Sequence, residues 1–143
     1  MYRFLVLLLF FGLSVDVFAQ DRVEWKQLAE VEFEGYDDQG MPIGNPTFPE
    51  ELSALDGQTV KLSGFMIPLD FSEMQTSFLI SAFPGDGCYF HMPGGPNSIA
   101  EIQAEEGVEF SYDTVEVEGK FVLLKDDPYG LLYKIIDAKP IGN

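Results

Sequence analysis

The sequence predicts a mainly β protein built around one small five-stranded barrel. Three observations predict it. From Thr59 to Asp137, runs rich in β-branched and aromatic residues alternate with clusters of Gly, Pro, Asp and Asn, the pattern of strands joined by turns. No sustained helical periodicity follows Leu55. Two long runs carry a mid-course glycine, Gly64 four residues after Val60 and Gly119 four residues after Val115. A glycine inside a strand marks the bulge or bend that a small barrel needs in order to close. An oligonucleotide/oligosaccharide-binding (OB-like) barrel preceded by a short N-terminal helix fits these features best, with a β-sandwich as the alternative.

The elements follow in order. Trp25 to Leu28 and Val31 to Phe33 read as short extended pieces, and Tyr36 to Pro42 is turn chemistry, repeated at Gly44-Asn45-Pro46. Thr47 and Pro49-Glu50-Glu51 mark a helix start, with proline and acids in the first turn and Leu52 and Leu55 on one apolar face. Asp56-Gly57 ends it. Strands are expected over Thr59–Leu69, Ser77–Ala82, Ser98–Gln103 with Ile99 and Ile102 inward, a short piece at Val108–Tyr112, Thr114–Leu124, and Leu131–Asp137. In the run from Thr114, Val115, Val117, Phe121 and Leu123 point one way while Glu116, Glu118 and Lys120 are polar. The stretch from Ala104 to Asp113 is too short and too glycine-broken for the helix such barrels often insert. Residues 57–143 are thus the barrel, 20–56 an N-terminal extension with the short helix, and 1–19 a separate leader.

That leader has the form of a secretory signal peptide. Arg3 supplies the positive charge, Phe4 to Leu13 the apolar run, and Val17-Phe18-Ala19 the small side chains before a cut at Gln20. The run is about half the length of a membrane-spanning helix. No membrane insertion is expected after cleavage, and the expected location is the periplasm. The 143 residues carry 24 acidic and 8 basic side chains, a net charge of -16, and loss of Arg3 and Asp16 with the leader leaves it unchanged. Such a surface has no clustered Lys and Arg with which to displace counterions from a phosphate backbone, so no nucleic-acid partner is expected. Anionic lipid is disfavoured on the same ground.

One stretch concentrates chemistry, Gly85-Asp86-Gly87-Cys88-Tyr89-Phe90-His91-Met92-Pro93-Gly94-Gly95-Pro96-Asn97. It holds the chain's single cysteine and single histidine, three residues apart. A secreted chain with one cysteine makes no internal disulfide, so the thiol needs its own explanation. Cys88 and His91 have the spacing that places two ligands on one metal. Asp86 and Met92 are the nearest further ligands, with Met66 or Asp70 available if the first long strand ends beside the loop. A thioether in the set suits copper(I), and a carboxylate suits zinc. The plain alternative keeps Cys88 as a small buried hydrophobe, His91 as a hydrogen-bonded loop residue and the glycines as a turn. A Cys–His pair on one tight loop is badly placed for base-assisted nucleophilic catalysis, and no carboxylate pair or phosphate-cradling loop is marked out. A non-enzyme is expected. Most phenylalanines and tyrosines fall in strand registers, where core is their expected role.

Gly57, Val60 and Gly64, then Ile67-Pro68-Leu69, Phe78-Leu79-Ile80-Ser81, Cys88, His91, Pro93 and Pro96-Asn97 resemble the domain of unknown function 3299 family of secreted bacterial proteins. Val117-Glu118-Gly119 and Asp126-Asp127-Pro128-Tyr129-Gly130-Leu131 resemble it as well, so the likeness runs from about Trp25 to the C-terminus. In that family the loop carries either Cys-x-His before a proline run or Cys-x-x-Cys before Gly-Gly. Here His91 stands in the place of the second cysteine, an exchange that a metal ligand tolerates and a dithiol redox pair does not. The resemblance implies an envelope protein associated with transporter systems, some of them zinc-related, and supplies no established activity. The expected function is a periplasmic accessory protein binding zinc or copper through Cys88 and His91. A non-catalytic barrel that binds an envelope transporter or other periplasmic protein, with the loop purely structural, is the alternative.

Overall fold

The computed structural model describes residues 21–85, 94–127 and 130–142. In chain order these form β1 (Asp21–Arg22), α1 (Trp25–Leu28), β2 (Gly35–Tyr36), β3 (Pro42–Ile43), α2 (Glu50–Ser53), β4 (Thr59–Pro68), β5 (Met74–Ser81), a 3-10 turn (Pro96–Ser98), β6 (Ile99–Glu109), β7 (Thr114–Leu123) and β8 (Tyr133–Pro140). The leader at 1–19 lies outside the described residues.

Period-two burial builds the barrel wall. Val60, Leu62 and Met66 of β4, Phe78 and Ile80 of β5, Ala100 and Ile102 of β6, and Val117 and Phe121 of β7 all turn into one core, because successive strand side chains point to opposite faces. β4 pairs with β5, β5 with β6, β6 with β8, β8 with β7, and β7 returns to β4. Only the β6–β8 contact among these is parallel. The sheet therefore closes as a five-stranded mixed barrel, as the sequence predicts, and the sandwich alternative falls.

The two mid-strand glycines make that closure possible. β4 pairs with β7 over Thr59–Phe65 and with β5 from Phe65 to Pro68, so it changes partner immediately after Gly64. Gly64 lies opposite Val115, and Gly119 lies opposite Val60, which makes their matching sequence positions one reciprocal pairing. A Cβ on Gly64 would meet the Ile80 side chain and lie 2.5 Å from the Ser81 carbonyl oxygen. On Gly119 it would lie 2.6 Å from Ile135 Cγ2 and 2.7 Å from the Ile136 carbonyl oxygen, at the bulge between Glu118 and Lys120. Neither glycine has a positive φ. What each supplies is close backbone approach.

Three local expectations change. Trp25–Leu28 is a helical turn, not an extended piece. Four residues are too few to show a period, and the turn is fixed by Glu24 N donating to Gln27 Oε1 at 2.8 Å and by the burial of Leu28. The two pieces expected at Ser98–Gln103 and Val108–Tyr112 are one strand, β6, which itself carries a bulge: the five steps from Gln103 to Val108 face only the two from Ser77 to Gln75 of β5, and pairing resumes beyond it at Val108 and Glu109. Ile102 points inward, but Ile99 lies on the opposite face in a second small cluster with Ile67, Leu79 and Leu131. Residues separated by three cannot share a face of a regular strand.

The N-terminal extension is part of the core. Leu28, Val31 and Leu52 pack with the barrel interior. Tyr133 is fully buried and donates its hydroxyl to the Leu28 carbonyl at 2.6 Å, while Trp25 Nε1 donates to the Ser63 carbonyl at 2.8 Å. Burial raises the Tyr133 pKa well above the ordinary phenol value. Glu32 and Thr47 exchange backbone hydrogen bonds of 3.0 and 2.8 Å, which holds the extension closed on itself.

Candidate functional site

Antiparallel and parallel pairings together give the barrel two distinct ends. The end of β5 and the starts of β6 and β8 lie at one, beside the N-terminal extension. The end of β4, the start of β5, the end of β6 and the start of β7 lie at the other.

Asp86, Cys88, His91 and Met92 lie outside the described residues. The chain enters and leaves that segment at the extension end. There Ala82 N donates to the Ser98 carbonyl at 3.0 Å, and Ser98 Oγ donates to the Gly95 carbonyl at 2.7 Å. A cavity of about 290 Å³ opens here between Trp25, Lys26, Ala29, Phe83, Gly94 and Asn97. Its described lining offers no carboxylate, thiol or imidazole, and no group of three His, Cys, Asp or Glu comes together among the described residues. Of the two further ligands considered, Met66 is buried in the barrel core. Asp70 follows the end of β4, at the opposite end of β5 from Ala82 and Gly94.

At that opposite end two connections meet, Leu69–Glu73 between β4 and β5, and residues 110–113 between β6 and β7. Asp70 Oδ1 accepts from Ser72 N at 2.8 Å and from Gln75 Nε2 at 3.0 Å. These hydrogen bonds, the one from the Ser72 backbone foremost, hold the Asp70 carboxyl below the ordinary carboxylate pKa. Gln75 is buried, and its amide also donates to the Asp70 carbonyl at 3.3 Å and to the Ser72 carbonyl at 2.5 Å. Phe110 N donates to the Glu73 carbonyl at 2.9 Å, which ties one connection to the other. On this fastened frame Phe71 and Tyr112 stand clear of the protein, at 109% and 91% exposure. The Tyr112 ring meets Phe110 edge-on at 4.9 Å, while Leu69 and Met74, at the two ends of the first connection in sequence, are also exposed. Pro68, Asp70, Phe71, Glu109, Phe110 and Tyr112 border an open groove of about 520 Å³.

Sequence reasoning missed this site because it assigned the aromatic residues to the core as a group. The available signal was position. Phe71 sits in Asp70-Phe71-Ser72-Glu73 and Tyr112 in Ser111-Tyr112-Asp113, polar turn segments where no strand register exists to turn a ring inward.

Fold and site together define a closed OB-like barrel with an N-terminal segment packed into one end and exposed aromatic residues on loops at the other. The family model described as a protein of unknown function (DUF3299) matches residues 28–129, and the chain belongs to that family. A crystal structure of a DUF3299 family protein from Pseudomonas aeruginosa PAO1 is similar to it with a TM-score of 0.60. Identity is 24%, and the match covers 87% of this chain and 98% of that one. At that identity the likeness is one of fold. No curated protein matches the chain.

Proposed function

We propose that this is a non-enzymatic periplasmic barrel that recognises a protein partner through the end bearing Phe71 and Tyr112. The observation that carries the proposal is the exposure of both rings on connections that are otherwise fastened by hydrogen bonds. Scattered exposed apolar residues need no explanation, whereas a grouped set beside a groove marks a binding surface. Phe71 and Tyr112, with Phe110 and Pro68, line one such groove, and aromatic residues are enriched in protein interfaces. Burying one such ring contributes on the order of 2–3 kcal/mol. Because the frame is ordered beforehand, little conformational entropy is lost on binding.

Photo-crosslinking tests the proposal. A photoreactive residue placed at position 71 should give one discrete partner adduct in the cells that make the protein, and Tyr112→Ala should abolish it. The same residue placed at Glu50 on α2 should give none. Adducts of equal yield from both positions would remove the proposal.

A second reading retains zinc or copper(I) on Cys88 and His91, with Asp86 and Met92. It is supported by the chain's single thiol and single imidazole lying three residues apart. Such a site predicts that Cys88 of metal-free protein reacts readily with a thiol reagent at neutral pH and that either metal protects it. Slow labelling unaffected by metal would end this reading. Phe71→Ala should leave protection intact, because the groove and the entry to residues 86–93 lie at different ends of the barrel.

A further inference from the structure

We propose that the Phe71–Tyr112 groove selects a cationic polypeptide segment, one in which Lys or Arg side chains flank an apolar anchor; this rests on the partner-binding reading above. The described lining of the groove carries three carboxylates, Asp70, Glu73 and Glu109, and no Lys or Arg. Asp113 follows Tyr112 directly in the chain. Apolar floor and acidic rim therefore call for the converse pattern in whatever binds. A Lys or Arg laid over the open face of Phe71 or Tyr112 gains a cation–π contact as well as a carboxylate neighbour. The net charge of -16 steers such a segment inward from a distance. Salt screens that field within about 8 Å at physiological strength, so the rim carboxylates decide where the segment settles.

Charge sets the other occupants aside. Exposed aromatic rings on an OB-like barrel are a base-stacking platform when the surrounding groove is basic. This groove is acidic and repels phosphate. An anionic membrane surface is repelled likewise. A second copy of the chain, docking by a two-fold contact, would bring Asp70, Glu73 and Glu109 against the same three residues of its mate.

The test uses the full mature chain and two synthetic peptides, Lys-Leu-Lys-Phe-Lys-Leu-Lys and its counterpart with Glu in place of each Lys, titrated by calorimetry. The cationic peptide should bind and the acidic one should not. Phe71→Ala and Tyr112→Ala should each weaken binding about tenfold, as loss of a buried aromatic anchor does. Both side chains are exposed, so unchanged circular dichroism is expected in each variant. Neutralising the rim with Glu73→Gln and Glu109→Gln should also weaken it. Neutralising Glu50→Gln and Glu51→Gln on α2, which removes the same charge elsewhere, should not. Equal weakening by the two neutralised pairs would show attraction to the overall field and overturn the proposal, as would binding of the acidic peptide. Self-association of the wild type that Phe71→Ala abolishes would identify a second copy as the occupant and overturn it too. Failure of the cationic peptide with the position-71 adduct preserved removes this inference and leaves the partner reading standing. Loss of the adduct as well removes both.

Discussion

Adding one methyl group at Gly64 should unfasten the barrel where β4 changes partner. The Cβ would lie 2.5 Å from the Ser81 carbonyl oxygen, whereas ordinary contact begins at 3.4 Å. The obstacle is backbone, so no rotamer change relieves it. β5 must retreat by roughly 1 Å, an overpacking cost of about 1–3 kcal/mol. Strain on the neighbouring ladder at Phe65 and Ser81 adds about 1 kcal/mol for a weakened hydrogen bond. Gly64→Ala is therefore expected to lose about 2–4 kcal/mol, a fall in Tm of roughly 6–20 °C for a domain of this size. Gly119→Ala meets the Ile136 carbonyl oxygen at 2.7 Å and Ala138 Cα at 3.0 Å, so it should behave alike. Valine at either position should cost more. The control is Gly35→Ala, since a Cβ there meets nothing within 4 Å and its φ is not positive. Its Tm should stay within about 2 °C of wild type, as expected for a surface change. The assay is thermal unfolding of all three alanine variants in one buffer. If Gly64→Ala and Gly35→Ala melt together, the close-approach argument is wrong.

Other consequences concern the two ends. Leu28→Ala removes a fully buried side chain of the extension and should cost about 2–5 kcal/mol in urea unfolding with a single transition; a separate early transition would show that the extension is not part of the core. Tyr133→Phe removes the 2.6 Å bond to the Leu28 carbonyl and should cost about 1–2 kcal/mol. The same hydroxyl predicts alkaline sensitivity. Its folded pKa is raised above the ordinary value of about 10, so its stabilisation is complete below that pH and is lost as pH rises beyond it. Stability should fall by up to about 1.4 kcal/mol per pH unit there, and Tyr133→Phe should remove that component of the slope. Asp70 has the opposite sign. Its folded pKa is lowered, so its hold on Ser72 is present above the ordinary carboxylate pKa and is lost as pH falls through the lowered value. At fixed pH, Asp70→Ala should accelerate hydrogen exchange at the Ser72 amide with little change in Tm, and acidification should lower the protection of that amide relative to its intrinsic exchange rate; an unaltered Ser72 protection would show that Asp70 does not order the connection.

The barrel was legible because its cause is local. Period-two alternation in β4 and β7 and the paired glycines each record a geometric need at the residue that meets it. Where the sequence misled, the cause was distant. The only local sign of the turn at Trp25–Leu28 is the Glu24–Gln27 capping pair, and the contacts that hold it against the barrel come from far along the chain, Tyr133 on Leu28 and Ser63 on Trp25. Likewise Ala104 to Gly107 looks like a break, and it is a bulge within β6, on whose far side the pairing of Val108 and Glu109 with β5 resumes. The candidate loop was conspicuous for the opposite reason, since rarity of residue type stands out without any fold. Phe71 and Tyr112 were harder to see, because aromatic side chains in a β-rich chain are usually core and their exposure is set by hydrogen bonds in neighbouring turns.

The separation of the two ends bears on how the fold could serve function. Inserting a helix between the third and fourth barrel strands would give residues 110–113 over to connecting that helix. Here the connection is only four residues long, and the extension packs into the far end of the core with Leu28, Val31 and Leu52. A short connection fastened through Phe110 to Glu73 leaves Tyr112 with no fold-determined neighbour except the Phe110 ring. The same economy applies to Phe71, whose connection is closed by Asp70 and Gln75 without using the ring at all. Packing thus asks nothing of these two aromatic side chains, while solvation opposes their exposure. Polar residues would hold both turns equally well, so the fold itself gives no reason for the rings, and the proposed partner surface supplies one.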